Sequence, residues 1–144
     1  MTNARRATLI SSVCLTAAVA ACVVPGSASA QFAPDTISIA PAAGIAADGS
    51  LTLSGTYRCF RHSGAVLIGA KALQRDARAE FDGDMAVCDG RAHNWSGTAP
   101  ATGTFETGAA RGEAVLIHLD SSQGFVPLPV IVDTHTADLE LHRG

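Results

Sequence analysis

The 144-residue chain has few aromatic and few charged side chains: five Phe, one Tyr and one Trp, with 16% Asp, Glu, Lys and Arg together. Its formal net charge is −3, so it lacks the basic surplus that neutralises nucleic-acid phosphates. One Trp and one Tyr are too few for the several stacking surfaces of a carbohydrate-binding face. At 47% hydrophobic residues the chain is too apolar for a disordered tail. We therefore expect one folded domain that does not bind nucleic acid.

The beginning of the chain has the pattern of a secretory signal peptide. Arg5 and Arg6 precede an uncharged apolar stretch, which is broken at Pro25 and followed by the small residues Ala28 and Ala30. A basic start, an apolar centre and a small-residue cleavage site are the parts of such a leader. We predict a signal peptide that ends at Ala30 and a secreted mature protein.

Two alternatives to a cleaved leader are open. The uncharged stretch is long enough to span a bilayer, which would make it a membrane anchor. In addition, Val19-Ala20-Ala21-Cys22 resembles the lipobox of bacterial lipoproteins, in which the cysteine is acylated and becomes the new N-terminus. Cys22 would then tie the protein to the cell surface. Without that lipid we expect no contact with a membrane.

Cleavage after Ala30 leaves residues 31–35 as a linker and residues 36–144 as the domain. Cys59 and Cys88 are then the only cysteines, and an exported protein with two cysteines is expected to join them. Neither belongs to a Cys-x-x-Cys motif or has an evident activating neighbour, so we expect a structural bond rather than a reactive thiol. Closing a loop of about 30 residues stabilises a fold by about 3 to 4 kcal/mol.

Short segments of alternating hydrophobicity, separated by turn residues, predict strands along the mature chain. The clearest segment places Leu51, Leu53, Tyr57 and Cys59 on one face, so the disulfide should lie in the core. About seven strands at this spacing predict an all-β antiparallel sandwich. The predicted strands are residues 36–39, 51–59, 65–70, 85–88, 92–96, 113–119 and 131–141.

Other stretches are read from their turn and helix signals. Residues 71–81 contain good helix formers, yet the segment is short for a helix and its flanks are strand-like, so we predict strand or loop. Asp82-Gly83-Asp84 predicts a turn, and Asp89-Gly90 predicts a hairpin between the strands on either side of it. Pro127 and Pro129 argue against a central strand at their position.

Residues 55–59, 86–95 and 107–114 resemble a family of small secreted actinobacterial immunoglobulin-like proteins of unknown function. The family signature is Gly-Thr-Tyr-x-Cys, then Val-Cys-Asp-Gly-x-x-His-x-Trp. The resemblance covers the chain from about Asp35 to the C-terminus. It implies an immunoglobulin-like sandwich with a disulfide from Cys59 to Cys88, and it implies no activity. The chain departs from the pattern at residues 108–110, where the family often has Lys-Pro-Gly.

Residues that could carry chemistry are scattered. No two of the histidines have the His-x-His or His-x-x-x-His spacing that places two rings on one metal ion, so we expect none to bind a metal. The aspartates near the turns lack the residue order of an EF-hand and are expected to serve the turns. Trp95 is expected in the core against the disulfide. The residues considered are His62, His93, His118, His135, His142, Asp82, Asp84 and Asp89.

The sequence contains no Gly-x-Ser-x-Gly elbow and no phosphate-binding Gly-Lys-Ser/Thr loop, and we expect neither catalysis nor a cofactor. We predict a secreted, non-catalytic structural or binding module with an extracellular protein, a cell-wall component or a small molecule as its partner. Its candidate loops are residues 61–64, 75–84 and 100–108. The alternative is an extracellular carrier that sequesters a small hydrophobic ligand.

Overall fold

Nine β-strands form the domain in the computed structural model, which describes residues 34–144. The predicted leader, with Cys22, and most of the linker lie outside the described residues. No helix occurs between residues 34 and 144. The strands are β1 (Thr36–Ile39), β2 (Ala42–Ile45), β3 (Leu51–Arg58), β4 (Val66–Gln74), β5 (Ala77–Met85), β6 (Ala92–Ala99), β7 (Ala101–Thr102), β8 (Gly108–Asp120) and β9 (Leu128–Arg143).

The alternation along β3 is confirmed by burial. Leu51, Leu53 and Cys59 are fully buried and Tyr57 is nearly so, whereas Thr52 and Thr56 between them are exposed. In a strand, successive side chains point to opposite faces, so a period of two produces one apolar face. That face meets the apolar faces of the other strands in a single core.

The sheet folds over into two layers. One layer contains β1, β3 and β6, and the other contains β9, β8, β4, β5 and β7 in that order. β2 joins them, because it pairs antiparallel with β3 and parallel with β9. The predicted all-β sandwich is confirmed, and its strand order is immunoglobulin-like. The structure has nine strands rather than about seven, because the short strands β2 and β7 lie in stretches with weak strand signals. The sheet is mixed rather than purely antiparallel, because β2 pairs parallel with β9.

Residues 71–81 belong to the β4–β5 hairpin, which confirms strand rather than helix. Arg75 makes the tight turn at a positive φ of 54°. The predicted turn at Asp82-Gly83-Asp84 is wrong, because these residues lie within β5. Gly83 has a φ of 57° and sits where the β4–β5 register shifts. A β-bulge and a turn both favour glycine at positive φ, so the local sequence does not separate them. Most of the predicted loop 75–84 is therefore strand.

The predicted hairpin between residues 85–88 and 92–96 is also wrong. Asp89-Gly90 does form a bend, in which the Arg91 N–H donates to Asp89 Oδ1 at 2.9 Å. After the bend, however, β6 crosses to the other layer and pairs with β3 along its whole length. The turn residues predict a change of direction, and the choice of partner strand depends on the core.

β1 is held to β9 through side chains. The Ile37 N–H donates to Asp133 Oδ2 at 2.8 Å, and the Ile39 N–H donates to His135 Nδ1 at 3.1 Å. These contacts supply acceptors to two amides that no β9 backbone carbonyl reaches, and buried amides left unpaired are costly. β1 thereby covers the side of the core next to β9.

β8 is a central strand, as predicted, and pairs with β4 on one side and β9 on the other. Pro129 lies in β9, opposite Leu119, on a stretch where β9 has no second neighbour, since β2 pairs only with residues 140–143. The Leu119 N–H donates to the Ala65 carbonyl, on the β4 side of β8 and away from β9. The Pro129 nitrogen therefore faces the free edge, where the absence of an N–H breaks no ladder bond.

Candidate functional site

Three loops lie at one end of the sandwich: residues 59–65, 86–91 and 121–127. The Cys59–Cys88 disulfide joins the first two and confirms the predicted pairing, with Cα atoms 4.6 Å apart. The Cys59 side chain is fully buried and Cys88 packs against the core. A backbone bond from the Gly90 N–H to the Cys59 carbonyl, at 2.9 Å, lies beside the disulfide. This loop end therefore has a covalently braced base.

A polar cluster holds the 86–91 loop in place. The Val87 N–H donates to the Tyr57 hydroxyl at 3.0 Å, and the Tyr57 ring stacks on His93 with centroids 5.4 Å apart. His93 Nε2 lies 2.8 Å from Asp89 Oδ1. The hydrogen bond with His93, together with the Arg91 N–H, lowers the pKa of Asp89 below its ordinary value. His93 and Asp89 thus serve the loop's conformation.

A second cluster supports the 59–65 loop. The Asp35 carboxylate accepts the Phe60 N–H at 2.8 Å through one oxygen and contacts His62 Nε2 through the other. The His62 ring lies against that of His118, with centroids 4.6 Å apart. Buried His118 Nε2 has no hydrogen-bond partner among residues 34–144. The cluster ties the first described residues of the domain to β8.

The other residues singled out from the sequence are dispersed. Asp82 and Asp84 are exposed on β5, His135 binds β1, and His142 is exposed near the end of β9. Trp95 is buried as predicted, and its indole N–H donates to the Ser38 carbonyl at 2.9 Å. Within the described part of the chain, no group of three His, Cys, Asp or Glu side chains is placed to hold a metal ion.

The 121–127 loop exposes two large apolar side chains. Phe125 is fully exposed and Val126 is 73% exposed, and we call residues 121–127 the hairpin tip. The tip begins at an Asx turn, in which Asp120 Oδ1 accepts the Ser122 N–H at 2.8 Å. That bond is the main reason why the pKa of Asp120 lies below its ordinary value.

More exposed apolar side chains lie at the same end of the sandwich. Leu128 and Val130 follow it along β9 and are about half exposed. Met85 and Val87 lie at the same end of the sandwich, because Met85 pairs with Leu67 near the start of β4. They are 71% and 56% exposed. The exposed residues from Phe125 to Leu128 are contiguous along the chain, and contiguous exposed apolar surface marks interaction sites on soluble proteins.

Sequence reasoning missed the hairpin tip, and it placed candidate loops at 61–64, 75–84 and 100–108 instead. Only residues 61–64 lie at the braced loop end. The signal that was available is Phe125-Val126-Pro127, an apolar run directly after turn residues. A turn is expected to be polar, so large apolar residues inside one need an explanation beyond the fold.

The described residues define an immunoglobulin-like β-sandwich with one disulfide and an apolar loop end. At the sequence level, residues 33–144 match DUF6299, a family of unknown function. Since the match covers most of the chain, the protein belongs to this family. The expected membership of an uncharacterised family is confirmed, and the actinobacterial source and the signature stay predictions. No curated protein and no solved structure matches the chain. Residues 34–144 include no helix with the length and apolarity needed to cross a membrane.

Proposed function

We propose that the protein is a secreted, non-catalytic binding module that holds an extracellular partner at the hairpin tip. The observation that carries the proposal is the complete exposure of Phe125 on a loop between two long paired strands. Aromatic side chains supply much of the energy at protein interfaces. Burying one such side chain recovers about 1.5 to 3 kcal/mol. A partner surface would provide that burial.

The framework under the hairpin tip suits recognition. β8 and β9 pair from residue 108 to residue 141, so the tip extends from a rigid ladder. The loop between the last two strands of an immunoglobulin-like sandwich is one of those that bind ligands in antibody variable domains. The disulfide at the base of the neighbouring loops supports export, because such bonds persist in oxidising compartments.

The non-catalytic part of the proposal rests on the roles of the polar side chains. His62 and His93 each contact an aspartate that also accepts a backbone N–H, and His135 accepts one from β1. Each of these groups therefore has a structural role.

Site-specific photo-cross-linking tests the proposal. A photo-reactive amino acid replaces Phe125 in one variant and Thr52, on the exposed face of β3, in a control variant, and both are exported from the native cells. We expect a discrete cross-linked product from position 125 alone, which excess unlabelled protein suppresses. Equal labelling from both positions, or none from position 125, contradicts the proposal.

The carrier alternative predicts a different result in a native mass measurement. A carrier purified from the culture medium would retain a small molecule at one equivalent per chain, whereas the proposed module would show only the mass of its polypeptide with no bound small molecule. The same mass distinguishes cleavage after Ala30 from lipidation at Cys22. It also shows the loss of two hydrogens on disulfide formation.

A further inference from the structure

The exposed side of the layer β5-β4-β8-β9 has ordered cross-strand rows, and we call it the outer face. Met85 pairs with Leu67, Leu67 with Ile117, and Ile117 with Ile131. Residues directly opposite one another in a sheet point to the same side. Four large apolar side chains therefore form one row across four strands. Met85 and Ile131, at its ends, are 71% and 68% exposed.

The same strand pairings define three further rows. The number of charged side chains per row increases from the row next to the apolar row to the row farthest from it. Written in the strand order β5-β4-β8-β9, they are Asp82-Gly69-Val115-Thr134, then Glu80-Lys71-Glu113-Thr136, then Arg78-Leu73-Arg111-Asp138.

We propose that a second copy of this chain covers the outer face, in a dimer whose two-fold axis runs parallel to the strands between β4 and β8. Rotation about that axis keeps each row at its own level and reverses its order. β5 then faces β9 of the second copy, and β4 faces β8. Such an interface is isologous, so every contact occurs twice. The inference concerns a different surface from the hairpin tip and goes beyond the proposed function.

The reversed rows are complementary to the original ones at the apolar row and at two ion pairs, whereas Arg111 faces Leu73 of the second copy and the carboxylates of Asp82 and Glu80 face threonines. The apolar row faces an apolar row. Lys71 faces Glu113 of the second copy, and Arg78 faces Asp138 of the second copy. Lys71 already lies 3.0 Å from Glu113 of its own chain, so the dimer brings two such pairs into an alternating cluster. Arg78 and Asp138 form no salt bridge within the part of the chain that the structure describes.

The shape of the outer face agrees with its charges. A shallow cleft of about 260 Å³ lies beside the apolar row and is lined by Leu67, Ile68, Gly69, Asp82, Gly83 and Ile117. In the proposed dimer, β8 of the second copy lies over this cleft and supplies Ile117 or Val115 as a side chain to fill it. Stacked sheets pack about 10 Å apart, a separation that apolar side chains of this size fill.

The opposite choice of axis is unfavourable. A two-fold axis perpendicular to the strands would place the apolar row against the row that contains Arg78 and Arg111, leaving guanidinium groups against Met85 and Ile117. It would also place Asp82 against Glu80 of the second copy. Desolvated charges without partners are costly at an interface. The parallel axis leaves one guanidinium, that of Arg111, against an apolar side chain but forms two kinds of ion pair, so the charge pattern favours it over the perpendicular axis.

The area is adequate for association. Four strands about 4.8 Å apart and four rows about 6.7 Å apart give roughly 500 Å² of projected surface. A standard interface buries about 800 Å² of accessible surface per partner. The accessible surface of the outer face exceeds its projected area because side chains protrude from it, so the two areas are of similar size. Because the axis runs along the strands, both hairpin tips would lie at the same end of the dimer and present two binding sites together.

Light scattering coupled to size exclusion tests the dimer on the mature protein. We expect the mass of two chains, and the mass of one chain for Ile131→Glu, for Arg78→Glu and for Asp138→Arg at the same concentration. Arg58→Glu, on the other layer, and Phe125→Ala, at the hairpin tip, should stay dimeric. Phe125→Ala thereby separates the dimer from the proposed function. Unchanged circular dichroism and an intact disulfide mass establish that each variant is folded.

Mixing provides the discriminating measurement. Arg78→Glu and Asp138→Arg are each self-repulsive, but together they restore an ion pair at both symmetry-related positions. We expect an equal mixture to form a heterodimer, with an affinity at least tenfold above that of either variant alone. A wild-type protein that is monomeric at several hundred micromolar overturns the proposal. So do charge variants that dimerise unchanged, or a mixture that stays monomeric.

Discussion

At the residue scale, glycines mark the places where neighbouring backbone and the large rings come closest. A Cβ atom built on Gly55 would lie 1.9 Å from the Ser38 carbonyl oxygen and 2.7 Å from the Trp95 indole nitrogen. A Cβ on Gly97 would lie 2.2 Å from the Phe81 ring. Phe81 and Trp95 stack with centroids 6.3 Å apart. The two bulky rings fit because the positions next to them lack side chains.

Replacing Gly55 by Ala should therefore destabilise the fold. The Ser38 carbonyl is backbone within β1 and cannot move aside as a flexible side chain would, so we expect a loss of about 1 to 3 kcal/mol in the free energy of unfolding. Gly44→Ala is the matched control, because its added Cβ would approach only the Thr52 Cβ, at 4.0 Å. Urea denaturation followed by circular dichroism measures both. Equal midpoints for the two variants would refute this packing argument.

Asp89 makes the stability of the domain depend on pH in the acidic range. Its pKa is lowered in the folded state by His93 and by the Arg91 N–H. A lowered folded pKa means that the stabilisation is present above the unfolded pKa and is lost as the pH falls through the folded value. We expect the melting temperature to fall below about pH 4. Asp89→Asn should be less stable at pH 6, with a flatter acid limb.

Melting curves between pH 2 and pH 6 measure this effect. Asp82→Asn serves as the control because Asp82 makes no hydrogen bond within the described residues, and its curve should follow the wild type. An Asp89→Asn curve parallel to the wild type over the whole range would contradict the assignment.

At the scale of elements, β1 shows how side chains replace a backbone ladder. His135 Nδ1 accepts the Ile39 N–H, which requires that nitrogen to be unprotonated. His135→Ala would leave the buried amide without a partner, at a cost of about 1 to 3 kcal/mol. We expect faster hydrogen exchange at Ile39 and a lower unfolding free energy.

His142→Ala is the control for that experiment, since His142 is exposed near the end of the same strand. Its exchange rates in β1 should equal those of the wild type. Protection of the Ile39 amide that survives His135→Ala would show that β1 is held by something other than this bond.

At the scale of the whole molecule, the disulfide links the loop that follows β3, at the centre of one layer, to the loop that follows β5, near the edge of the other. Cross-linking a loop of about 30 residues restricts the unfolded chain and contributes about 3 to 4 kcal/mol. Reduction should lower the unfolding free energy by that amount. The β-strand circular dichroism should persist in mild conditions, because the core is largely made of other side chains.

A variant with Cys59→Ala and Cys88→Ala is the control for reduction. Its denaturation midpoint should be unaffected by reductant and should lie near that of the reduced wild type. If the reduced wild type keeps the oxidised midpoint, the disulfide does not stabilise the domain.

Much of the fold follows from short-range pattern. The period of two from Leu51 to Cys59, the apolar stretch around Leu116 and the alternation at Leu139 and Leu141 predict three of the strands that build the core. The predictions fail where one local signal fits two structures. Glycine at position 83 is compatible with a bulge as well as with a turn. Asp89-Gly90 predicts a bend but does not indicate which strand the following segment pairs with.

The candidate surfaces depend on assembly of the whole chain. No sequence pattern predicts the apolar row of the outer face, because its four residues come from four strands. The registers of those strands are set by the packed sheet. The sequence by itself determined most of the strand-forming segments, the disulfide pair and the buried face of strands such as β3, since alternation and cysteine count are local or compositional. Only the tertiary structure decided which strands are neighbours and which apolar residues stay in water, because both depend on contacts between residues far apart in the chain.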